Sequence, residues 1–88
     1  MRITVTRTGG FAGMTRRATL DTDERPDAAE LTALARTALT EGRGAAVTGV
    51  PDGFHYEIDV DGESAHCADP RLTDAQSALV RRVLKEGA

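Results

Sequence analysis

Aromatic side chains, cysteine, positive charge and long apolar runs are all scarce in this sequence, and each shortage closes off a class of function. Two Phe, one Tyr and no Trp among 88 residues leave the core to be assembled from small aliphatic groups. A single cysteine cannot form an internal disulfide, and the Cys-x-x-Cys pattern of structural zinc sites is missing. A net charge of −3 runs against a nucleic-acid partner, because phosphate binding needs many unopposed Lys and Arg. The opening MRITVTR has no apolar signal core, and no stretch approaches the roughly 20 apolar residues of a membrane span. These features predict one soluble domain over residues 1–88, in a reducing, cytoplasmic setting, with no membrane contact.

Catalytic signatures are missing too. Gly10 and Gly13 are not followed by the Gly-Lys-Ser/Thr of a phosphate loop. No His-Glu-x-x-His pair and no Gly-x-Ser-x-Gly elbow occurs. Asp21, Asp23, Glu24 and Asp27 cluster just before a helical pattern, where capping and solvation account for them. The expectation is a protein that is not an enzyme and that has no catalytic residue, cofactor or resident metal.

What remains is a clear alternation of periods. Residues 2–7 place Ile3 and Val5 on one face and Thr4 and Thr6 on the other, the signature of a half-buried strand. Residues 14–21 alternate again, with Met14, Arg16, Ala18 and Leu20 sharing a face, so the two runs should form an antiparallel hairpin. The period then changes. Leu31, Leu34, Ala35, Ala38 and Leu39 form a helical stripe, with Asp27 and Glu30 as an N-terminal capping pair and Gly42 as the stop. Residues 42–53, rich in glycine, read as a loop.

In FHYEIDVDGESAHCA, Phe54, Tyr56, Ile58 and Val60 share a face, and Asp61-Gly62 is a strong type I′ turn signal. That turn sets Val60 opposite Glu63, Ile58 opposite Ala65, Tyr56 opposite Cys67 and Glu57 opposite His66. Cys67 is then a small inward thiol. His55, Glu57 and His66 share the outer face, and zinc ligation by the three is a minor alternative to a plain polar pair. The last segment has Thr73 and Gln76 at capping-box spacing. Leu79, Val80, Val83 and Leu84 make its buried stripe, with Arg81, Arg82 and Lys85 off it. The order β-β-α-β-β-α predicts an α+β fold, a four-stranded antiparallel sheet with two helices packed on one face.

One stretch does not fit a purely structural account. RTGGFAGMTRR, residues 7–17, is longer than a hairpin turn requires and sets Phe11 and Met14 among three glycines. Either Phe11 folds back under the turn to complete the core, or the loop displays Phe11 and Met14 as apolar anchors for a partner. In the second case Gly9, Gly10 and Gly13 allow close backbone approach. Gly9, Gly10, Phe11, Ala12, Gly13, Met14, Arg16 and Arg17 are the candidate partner-binding residues, with Arg7, Arg16 and Arg17 able to steer the loop towards an acidic rim. Self-association through the same surface, as in a homodimer or assembly module, is the alternative.

The block MRITVTRTGGFAGMTRRATLDTDERP resembles the start of the emfourin family, small bacterial inhibitors of protealysin, a thermolysin-like zinc metallopeptidase. DGFHYEIDVDG is similar to the family's second block, and LTDAQSALVRRVLKEGA to its terminal amphipathic helix. The middle segment EGRGAAVTGVPDG is shorter and richer in glycine than is usual for the family. The resemblance implies a protein inhibitor of a thermolysin-like metallopeptidase. Such enzymes favour a bulky apolar side chain just after the scissile bond, so Phe11 or Met14 would fill that pocket and residues 9–17 would block the cleft.

Overall fold

A computed structural model describes residues 1–9, 15–42 and 53–88. The elements follow the expected order: β1 (Arg2–Gly9), β2 (Arg16–Asp21), α1 (Ala28–Gly42), β3 (Phe54–Val60), β4 (Glu63–Ala68) and α2 (Asp74–Glu86). The four strands form one sheet in the order β2-β1-β3-β4, antiparallel throughout. β2 and β3 therefore run the same way with β1 between them, and α1 spans that crossover.

Burial follows the alternation. Ile3, Val5, Ala18, Leu20, Tyr56, Ile58, Val60, Ala65 and Cys67 project from one face into a single core with Leu31, Ala35, Ala38 and Leu39 of α1 and Leu79, Val80, Val83 and Leu84 of α2. α2 lies over β2 and β1, α1 packs on β4, and the helices pack on each other. The opposite face carries Thr4, Thr6, Arg17, Thr19, Glu57 and His66, none of them buried. The one-faced α+β sandwich is as expected.

The Asp61-Gly62 turn holds the predicted register, with Val60 opposite Glu63, Ile58 opposite Ala65, Tyr56 opposite Cys67 and Glu57 opposite His66. Its positive φ values, 50° at Asp61 and 92° at Gly62, are those of a type I′ turn. The turn is tied to β1, since Arg2 N–H donates to Asp61 Oδ1 at 2.8 Å and Asp61 N–H donates to the Arg2 carbonyl at 3.1 Å. At the far edge of the sheet, Ala88 exchanges backbone hydrogen bonds with Thr19 of β2 at 3.0 and 3.1 Å. That contact satisfies an edge position which would otherwise be open to further pairing.

α2 opens with a complete capping box: Gln76 N–H donates to Thr73 Oγ1 at 3.2 Å, and Thr73 N–H donates to Gln76 Oε1 at 3.0 Å. Gln76 does more than cap. It is buried, and its Nε2 donates to the Ala38 carbonyl at 3.2 Å, which fixes the start of α2 against α1.

The capping pair expected for α1 is not what its residues do. The Asp27 carboxylate is held by Arg25, through Nε at 2.9 Å and Nη2 at 3.2 Å, and by Arg82 Nη2. Glu30 reaches Arg82 instead of the helix start, at 3.4 Å. Glu86 completes the network, accepting from Arg25 at 2.5 Å and from Arg82 at 2.8 Å. Two guanidiniums outcompete a backbone N–H for the same carboxylate oxygens, because both partners are then ionised and Arg25 binds through two nitrogens at once.

The network implies an acid response. Hydrogen bonds from Arg25 lower the pKa of Asp27, and those from Arg25 and Arg82 lower that of Glu86. A carboxylate with a depressed folded-state pKa stabilises the fold fully above its ordinary value, near pH 4, and loses that contribution as pH falls through the depressed one. The urea midpoint should therefore decline as pH drops from about 5 towards 3. In Asp27→Asn the decline should be shallower, as urea titrations at stepped pH would register. Equal slopes would deny the network a role in stability.

Candidate functional site

Of the expected binding residues, the β1–β2 hairpin places Gly9, Arg16 and Arg17 at one end of the sheet. Gly9 closes β1 opposite Phe54, with φ at 88°, a left-handed conformation that glycine adopts without strain. A Cβ added there would come within 3.0 Å of the Gly53 carbonyl oxygen. Gly10, Phe11, Ala12, Gly13 and Met14 lie outside the described residues, as does the 43–52 part of the expected loop. Arg16 and Arg17 open β2 and project to opposite faces. Arg17 lies on the open face, paired with Thr6, while Arg16 pairs with Arg7 on the helix-covered face. The three arginines therefore do not act as one group.

Arg7 continues the Ile3, Val5 alternation, so a cation occupies the last inward position of a core strand. Its guanidinium stacks on the Phe54 ring, 4.3 Å from the centroid, in a cation–π contact. Phe54 in turn packs at a tilt against Tyr56, with ring centroids 6.3 Å apart. Arg16 reaches across to donate from Nη2 to the Leu84 carbonyl near the end of α2. There the two strand arginines meet two cations of α2. Arg7, Arg16, Arg81, Leu84 and Lys85 line a shallow concavity of about 470 Å³.

The opposite end of the sheet is acidic. Asp21, Asp23, Asp59 and Asp61 surround a concavity of about 410 Å³ with Met1, Arg2 and Thr4. Each carboxylate has a partner in this chain. Asp21 accepts from Asp23 N–H at 3.0 Å, Asp23 from the Met1 amine at 3.1 Å, Asp59 from Gly62 N–H at 3.2 Å and Asp61 from Arg2 N–H. These are turn and terminus contacts.

Other side chains weighed for chemistry have structural partners. His66 Nε2 pairs with Glu57 Oε2 across the strands at 3.1 Å, while His55 lies opposite Ala68. No three His, Cys, Asp or Glu side chains converge on a metal position among the described residues. Cys67 is buried beside Tyr56, and burial pushes its thiol up to about 11. A thiol so seldom ionised at neutral pH is a poor nucleophile. No helix among the described residues is long and apolar enough to cross a membrane.

The placement of Arg81 and Lys85 beside Arg7 and Arg16 is not visible in the sequence. They read as the solvent side of α2, and only the crossing of that helix over β2 and β1 sets them beside Arg7 and Arg16. A signal was present, however. Arg81 and Lys85 repeat a positive charge four residues apart, which an isolated helix disfavours.

No curated protein and no solved structure matches the chain. The Emfourin family model does match it, over residues 5–84, a span that takes in β2, α1, β3 and β4 whole and all but the first residues of β1 and the last of α2. The chain belongs to the Emfourin family.

Proposed function

We propose that this protein inhibits a thermolysin-like zinc metallopeptidase by inserting the 9–17 connection into the active-site cleft. Membership of the Emfourin family over residues 5–84 is the observation that carries the reading. The strand ends suit it: Gly9 and Arg16 emerge from adjacent paired strands, so the connection is anchored at both ends. Anchoring reduces the ordering cost of association. It also hinders the alignment of the backbone for attack, which catalysis requires within narrow limits. Phe11 or Met14 supplies the apolar side chain for the pocket beyond the scissile position, and the protein performs no chemistry itself.

The test is turnover of a short peptide substrate by a purified thermolysin-like metallopeptidase, preferably one encoded beside this protein. Micromolar or lower concentrations of the protein should slow turnover to a saturable limit. Rates unchanged at tens of micromolar would reject that enzyme class as the target.

A further inference from the structure

Charge is segregated along this molecule in a way the fold does not require. Arg7 and Arg16 are direct cross-strand partners on the same face, and like charges so placed repel. Arg81 and Lys85 sit four residues apart on α2, a second unfavourable pair. The two pairs come from different elements and line the same concavity, and no carboxylate of the described residues lines it with them. The chain has acidic groups to spare, with 14 Asp and Glu against 11 Lys and Arg. Where guanidiniums serve the fold, as at Arg25 and Arg82, they are surrounded by Asp27, Glu30 and Glu86.

The cluster is also held in position. Stacking on Phe54 fixes Arg7 and the Leu84 carbonyl fixes Arg16. Yet the buried Nε of Arg7 has no hydrogen-bond partner among the described residues, and none of the four cations forms an ion pair there. A fixed cationic surface that the described residues leave unneutralised gains energy when carboxylates are brought to it.

We infer that Arg7, Arg16, Arg81 and Lys85 form a docking cradle for an acidic surface segment, rich in Asp and Glu, of the partner peptidase. The inference rests on the inhibitor reading and deepens it. The cradle lies at the end of the sheet where β1 and β2 give way to the 9–17 connection, so a peptidase engaged by that connection has α2 nearby. Aspartates ring the opposite end of the sheet, so the molecule has an electrostatic polarity that would orient its approach. The cradle acts on encounter and orientation, and the tip on occlusion.

The experiment compares the association rate of the full chain with that of Arg81→Glu/Lys85→Glu, using a peptidase that the wild type inhibits. A second double variant, Arg36→Glu/Arg71→Glu, makes the same change in net charge at exposed positions outside the cradle. At low salt the cradle variant should associate about 10–100-fold more slowly than wild type and lose most of its salt dependence, with dissociation altered much less. The control pair should change the rate by no more than about threefold. Folding should survive, because the new carboxylates face Arg7 and Arg16, and thermal melting of the cradle variant should match or exceed wild type.

If the wild type inhibits and the cradle variant associates at the same rate with the same salt slope, the cradle proposal is overturned and the inhibitor reading stands. If no thermolysin-like peptidase is inhibited, the reading fails. The cradle is then judged by titrating a hexaglutamate peptide into labelled protein, where unmoved side-chain resonances of the four cations would overturn it. Sedimentation of the free protein should show a monomer. A salt-sensitive oligomer abolished by the cradle variant would instead assign the surface to the acidic end of a second copy and overturn the proposal.

Discussion

Replacing Ile58 with alanine is expected to destabilise the fold by about 2–5 kcal/mol, the range for emptying a buried aliphatic site. Ile58 is fully buried at the centre of β3, paired with Val5 of β1 on one side and Ala65 of β4 on the other. Its immediate neighbours cannot fill the space. Ala65 on one side has no side-chain atoms beyond Cβ, and Val5 on the other is itself fully buried. Domain stabilities run to about 5–15 kcal/mol, and a small core with three aromatics in the chain belongs towards the low end. The loss is therefore a large part of the total. Melting should fall by about 8–40 °C, since each kcal/mol moves a domain of this size by roughly 4–8 °C. Ile58→Val removes one methylene and should cost about 0.5–1.5 kcal/mol. Urea unfolding of both variants checks the pair, and an alanine variant within 1 kcal/mol of wild type would contradict the core assignment.

The residues that made Ile58 predictable also show why parts of this fold can be read locally. A two-residue Asp-Gly turn fixes every partner in the hairpin it closes, so one local signal carries the pairing of six residues on β4 with β3. The capping box at Thr73 and Gln76 is likewise complete within four residues. Asp27 fails as a local signal because its competing partners, Arg25 and Arg82, include one that lies 55 positions away. The adjacency of β1 and β3 is of the same kind. Alternation tells which side of a strand is buried, but both neighbours of β1 present the same pattern. Gln76 shows the intermediate case: its cap was legible, its burial and its bond to Ala38 were not.

The cationic end divides along the same line. In the sequence Arg16 shares the alternation of Met14, Ala18 and Leu20, but Arg7, Arg16 and Arg17 read as one group; that Arg7 faces Arg16 and Arg17 lies on the other face follows from the β1–β2 register. Arg81 and Lys85 join them only through the path of α2 across the sheet. Surfaces assembled from distant segments carry no local period, so the sequence marks Arg7 and Arg16 as candidates but not the cluster they form with α2.

Phe11→Ala should raise the inhibition constant about 30–1000-fold, the weight of a dominant interface anchor at about 2–4 kcal/mol. Aromatic side chains are scarce in this chain. With two Phe, one Tyr and no Trp in the chain, and with Phe54 and Tyr56 both engaged on β3, Phe11 is the remaining aromatic. The described core closes from aliphatic side chains, Tyr56 and Cys67, with Phe54 packed against it. Thermal melting of the variant must be measured beside inhibition, because the two readings of Phe11 separate there. An anchor for a partner leaves the melting temperature within a few degrees of wild type while inhibition collapses. A side chain that completes this protein's own core lowers the melting temperature as Ile58→Ala does. Met14→Ala divides the remaining ground. If it abolishes inhibition and Phe11→Ala does not, Met14 occupies the pocket and the connection still carries the activity. Full inhibition by the double variant would remove the 9–17 connection from the mechanism.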